Sequence, residues 1–140
     1  MLPRMMRIWQ SFRSIPLWVQ VWISVFLFPV NAASLALTHW DTGFWAACAF
    51  AVVGISNIAM LLIQSGLSRL MALPHVVAWL PLQAYLLQRL VGHGHEDLGS
   101  SESTYTMILF SINAVSLGFD LLDSWKWLRG ARDVRRPPSH

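Results

Sequence analysis

Four apolar stretches, at residues 17–38, 44–65, 73–91 and 105–128, fill this chain almost end to end. Each comes close to the roughly 20 residues that an α-helix needs to cross bilayer hydrocarbon. Peptide groups find no water to bond in that medium, so such a segment is driven into a helix whose amides and carbonyls satisfy one another. The expected fold is therefore an all-α membrane protein, a four-transmembrane-helix antiparallel bundle, with residues 1–140 forming a single integral membrane domain.

Composition agrees. Hydrophobic residues make up 55% of the chain and charged residues 12%, about half the charged share of a soluble domain. The net charge of +3 does not indicate nucleic acid, because the basic side chains gather at the ends of the apolar stretches and are not spread over one face. The lipid bilayer is the expected partner. Cys48 is the one cysteine and lies within the second stretch, which excludes an internal disulfide or a CxxC redox pair.

Orientation follows from Lys and Arg. Arg4, Arg7, Arg13, Arg69, Lys126, Arg129, Arg132, Arg135 and Arg136 fall on one side of the spans, and Arg89 alone on the other. The positive-inside rule then puts both termini in the cytoplasm, and the expected location is the bacterial cytoplasmic (inner) membrane. Asp41, Glu96, Asp97 and Glu102 fall in the outer loops on this reading. Trp18, Trp22, Trp40, Trp45, Trp125 and Trp127 stand near span ends, as amphipathic rings at headgroup depth do. Arginines ahead of an apolar run, with small residues at 31–34, resemble a signal peptide in outline. The run continues past Pro29 to Leu37, however, and the segment is expected to stay as the first span.

The flanks read differently. Between Pro3 and Ser14, Met5, Met6, Ile8, Trp9 and Phe12 alternate with Arg4, Arg7 and Arg13. That pattern predicts a short basic amphipathic helix on the anionic inner leaflet, ended by Pro16. Residues 129–140 read as a frayed basic tail. The connections at 38–43 and 66–72 are short, and 92–103 forms a longer polar outer loop. In the third span, Pro81 removes a backbone hydrogen bond and predicts a bend, with Gln83 among the groups available to the freed carbonyl. Small residues in the second span, Ala46, Ala47, Ala49, Ala51 and Gly54, suit close helix approach.

The candidate site is an intramembrane polar seam. Asn113, Ser116, Asp120, Asp123 and Trp127 follow one another by three, four, three and four residues, which aligns them on one helix face. Ser24, Asn31, Ser34 and Thr38 repeat the pattern on the first span, and Asn57 and Gln64 on the second. Asp123 is a helix-end charge within reach of Lys126. Asp120 lies deeper, where a carboxylate needs a proton, water or a partner, and Arg69 and Asn57 are its expected partners. The seam serves either to lock helices together or as a proton or ion path.

Histidines raise metals and haem. His39 and His75 belong to opposite ends of the spans, so they cannot ligate one iron, and no cofactor is expected. A haem shared with another subunit is the one remaining route. His93 and His95 are weak candidates for a divalent metal, because their spacing fits no strong zinc pattern. The chain lacks the early-helix glutamate of small multidrug exporters. No nucleophile triad, phosphate loop or metalloprotease motif occurs either. The leading expectation is a non-catalytic accessory, assembly or interaction subunit that packs against a larger membrane complex or against itself. The first alternative is an oligomeric small-solute or proton-coupled transporter using Asp120. The second is the membrane anchor subunit of a redox complex.

Overall fold

The computed structural model describes residues 2–92 and 98–134, and all its named elements are helical. Helix α1, Leu2–Arg13, carries Arg4, Arg7 and Arg13 exposed. It ends where the Ser14 side chain bonds back to Ser11 O and Pro16 bars continuation. Buried Ser11 ties it to the protein, its Oγ accepting from Leu67 N–H at 2.9 Å. Met5, Met6 and Trp9 are left exposed.

Helix α2 runs over Leu17–Ala36 and is not regular. A π turn occupies Trp22–Leu27, in which Phe28 N–H reaches back five residues to Ile23 O, and a 3-10 turn closes the helix at Ser34–Ala36. Pro29, directly after the wide turn, brings no donor to the carbonyl four residues earlier. Helices α3, Asp41–Gln64, α4, Ala72–Val91, and α5, Ser100–Leu128, are regular α-helices. A 3-10 turn at Arg69–Met71 leads into α4. With α2, these make four helices long and apolar enough to cross a membrane.

Two sequence expectations are corrected here. The fourth long helix starts at Ser100, five residues before 105, so Glu102 lies in its first turn and is buried. A carboxylate there meets the positive end of the helix dipole. The C-terminal segment does not fray directly after the helix either. Gly130 adopts φ 104°, its N–H bonds Trp127 O, and Ala131 N–H bonds Lys126 O, the paired reverse bonds of a Schellman cap. Beyond it, Val134 bridges to Ser68 and Ala131 O accepts from Arg69. The end of α5 is thereby tied to the connection before α4. Residues 135–140 lie outside the described residues.

The α2–α3 connection is tight enough to dictate one residue. A Cβ at Gly43 would stand 1.9 Å from Leu37 O, a backbone atom that cannot swing aside. Gly43→Ala should therefore destabilise the protein by about 1–3 kcal/mol through forced backbone displacement, read as an earlier midpoint in a detergent unfolding titration. An unchanged midpoint would show that the turn has slack.

α5 packs most extensively on α4, α4 on α3, and α2 lies against α3 and α5. The apolar core joins Ala46, Ala49 and Val53 of α3 to Trp79, Leu82 and Leu86 of α4 and to Leu109 and Leu117 of α5. The alanines let the backbones approach, as in membrane helix interfaces. Ala51 is instead exposed and a Cβ added at Gly54 would meet no other helix within 4 Å, so neither belongs to that contact. The outer surface is apolar on every long helix: Leu17, Ile63, Val77 and Leu122 are all largely exposed. Soluble monomers rarely present so continuous an apolar surface.

Candidate functional site

The polar side chains of the long helices fall into a ladder of cross-helix contacts. Nearest the Ser100 end of α5, Thr106 Oγ1 bonds Thr42 Oγ1 of α3 at 3.3 Å, and Arg89 of α4 pairs with Glu102 at 3.3 Å. One step along, Tyr105 Oη donates to Val30 O of α2. At mid-helix Asn31 and Asn113 exchange two bonds, Asn31 Nδ2 to Asn113 Oδ1 at 2.7 Å and Asn113 Nδ2 to Asn31 Oδ1 at 3.1 Å. Both are fully buried. Gln83 Nε2 of α4 donates to Phe110 O. The Gln83 amide thus serves the neighbouring helix, and α4 continues unbroken through Pro81.

Asn113 and Ser116 of the α5 seam are buried, and Asp120, Asp123 and Trp127 partly so. The α2 pattern holds only in part. Asn31 and Ser34 are buried, whereas Ser24 and Thr38 are exposed. The π turn inserts an extra residue into the spiral, which rotates the positions before it out of the 3.6-residue phase. Trp22 then takes the inward place, donating from Nε1 to Ser116 Oγ at 2.9 Å.

Nearest the Leu128 end of α5 the contacts carry charge. Asp120 Oδ2 lies 3.5 Å from His75 Nδ1, and Arg69 Nε lies 3.4 Å from Asp123 Oδ1. Asn57 of α3 reaches the other side of the imidazole, Nδ2 to Nε2 at 3.3 Å. The expected partners are thus rearranged: Arg69 belongs to Asp123, Asn57 to His75, and His75 to Asp120. The His75 ring packs against buried Trp79, centroids 4.5 Å apart, which fixes its orientation. A neutral imidazole accepts from the Asn57 amide and turns its Nδ1–H to Asp120. Asn57, His75 and Asp120 thus form a chain of polar contacts across α3, α4 and α5.

This charged group borders a cavity of about 390 Å³ between α2, the Leu67–Arg69 connection and α5. Ile15, Trp18, Trp22, Ile23 and Leu27 form one wall, and Arg69, His75, Ser116, Asp120 and Asp123 another. Lys126 stands on its rim as an exposed residue. The tryptophans near the end of α5 are capped by cations: Arg129 sits 4.5 Å over the exposed Trp125 ring and Arg132 4.7 Å over the partly buried Trp127.

Among the described residues no three His, Cys, Asp or Glu side chains are grouped to hold a metal ion. His93 and His95 lie outside the described residues. His39 stacks on Trp40 beyond the end of α2, far along the chain's helices from His75. Comparison with protein-family models, curated proteins and solved structures returned no match. The site is accordingly read from its own chemistry.

Proposed function

We propose that the four long helices cross a bacterial cytoplasmic membrane as an antiparallel bundle with both termini inside, and that the protein is a non-catalytic accessory or assembly subunit. The observation that carries this reading is that interior polar side chains bond one another across helices, while the outward surface is apolar. Asn31 with Asn113, Trp22 with Ser116, and Arg89 with Glu102 are locks, not reactive groups. An outward apolar groove over Trp45, Cys48, Val52, Val77 and Pro81 supplies a surface on which another membrane helix, or a second copy, would pack. Helix α1, with arginines out and Met5 and Trp9 uncovered, fits the inner headgroup layer.

Two measurements test this. Purification in mild detergent should recover a stoichiometric membrane partner or a defined homo-oligomer, and a monodisperse lone monomer would overturn the subunit reading. In a Cys48→Ser background, a cysteine at exposed Ser100 should react with an impermeant thiol reagent in intact cells, and one at exposed Ser14 should not. Reversed labelling would overturn the orientation.

A second reading is favoured by one observation, the His75–Asp120 pair beside the cavity. It makes Asp120 the titrating group of a small-solute or proton-coupled transporter. Proteoliposomes would then show a proton-coupled flux abolished by Asp120→Asn in a protein that still folds.

A further inference from the structure

We propose that the cavity between α2 and α5 is a binding site for an organic monocation, a protonated or quaternary amine with an apolar body, with Asp120 as its counter-charge. The volume of about 390 Å³ lies within the range of small-molecule sites, about 300–1,000 Å³. Trp18 of α2 and Phe119 of α5 stand with ring centroids 5.8 Å apart, Trp22 and Leu27 of α2 add apolar wall, and the carboxylates of Asp120 and Asp123 line the α5 side.

Charge balance selects the ligand. Arg69 is held by Asp123, which closes that pair upon itself, and Lys126 projects at the rim. Asp120 faces only His75 from α4, with non-titrating Asn57 behind it on α3, and α2 presents no charge to the cavity. Among the described residues Asp120 pairs with neither Arg69 nor rim-exposed Lys126, and it stands beside aromatic faces, the combination that stabilises an ammonium group through Coulomb attraction and the ring quadrupoles. An anionic ligand would meet two carboxylates, with Arg69 already paired to Asp123 and Lys126 out at the exposed rim. A neutral apolar ligand would strip water from Asp120 and return nothing.

This inference rests on the helices being membrane-embedded but on no particular partner complex, and incorporation into lipid nanodiscs tests that premise separately. The probe is benzyltrimethylammonium, with benzenesulfonate as its charge-reversed counterpart. Equilibrium dialysis is run against nanodiscs of phosphatidylglycerol, with empty discs subtracted. Saturable binding of the cation is expected, weakened at least about tenfold by Asp120→Asn and severalfold by Trp18→Leu, a largely exposed residue whose loss leaves the core intact. Should Asp120→Asn fail to incorporate, Asp120→Glu must retain binding while Trp18→Leu weakens it. Adding phosphatidylethanolamine distinguishes the sources: competition assigns the amine to a lipid headgroup, and its absence to a soluble amine. No saturable binding, equal affinity in Asp120→Asn, or equal binding of benzenesulfonate would overturn the proposal.

Discussion

Arg89→Met should lower the free energy of unfolding by about 3 kcal/mol, the largest single effect expected outside the helix core. Glu102 is buried, its side chain 11% exposed, and Arg89 is 18% exposed at 3.3 Å from it. Removing the guanidinium strands a largely buried carboxylate with no other ion pair among the described residues. Methionine keeps much of the side-chain volume, so the loss reports the stranded charge and not a cavity. The double variant Arg89→Met with Glu102→Gln should recover most of the stability, since an amide tolerates the loss of its partner far better than a carboxylate. A single-variant loss under about 1 kcal/mol would mean that the pair behaves as a surface ion pair.

The second large effect is expected at the mid-helix clasp. Asn113→Leu takes both reciprocal bonds from Asn31, whose Nδ2 keeps only the Leu27 carbonyl of its own helix while Oδ1 is orphaned. An unsatisfied buried amide oxygen costs about 1–3 kcal/mol, and the apolar surroundings offer no water in exchange. Combining Asn31→Leu with Asn113→Leu should cost less than the sum of the two single changes, with a coupling of about 1 kcal/mol. Unfolding in increasing sodium dodecyl sulfate reads both values. Strict additivity would show that the two amides do not support one another.

The four apolar helices were legible in the sequence because length and hydropathy mark them directly. Their boundaries were less so. Ser100–Ser103 read as polar loop, yet they open the helix and Glu102 is neutralised by a partner on another helix, which no local pattern reveals. The polar seam on α5 was visible in its three- and four-residue spacing, but its partners were not. Counting inward from span ends puts His75 near the start of its helix and Asp120 about eight residues from the end of its own, apparently at different depths. The helices overlap unequally because α5 overruns the start of α4, and that offset brings the two side chains together. The Schellman cap had a readable signal, Gly130 just past the last helical residues, which the polar, basic character of the tail obscured. Uniform α-helical spacing placed Ser24 and Thr38 alongside Asn31, but Ser24 lies within the π turn and Thr38 beyond the helix end at Ala36.

That wide turn at Trp22–Leu27 has a consequence for how α2 sustains two unrelated tasks. Its first half places Trp22 against Ser116 and forms the cavity wall, and its second half places Asn31 against Asn113. In an unbroken α-helix the rotation between these positions would be fixed by the nine residues separating them, each turning the chain about 100°. The extra residue makes that angle adjustable: the helix is two keyed shafts joined by a coupling, each half cut for its own lock. The half that forms the cavity wall and the half that forms the clasp thus keep separate orientations within one helix.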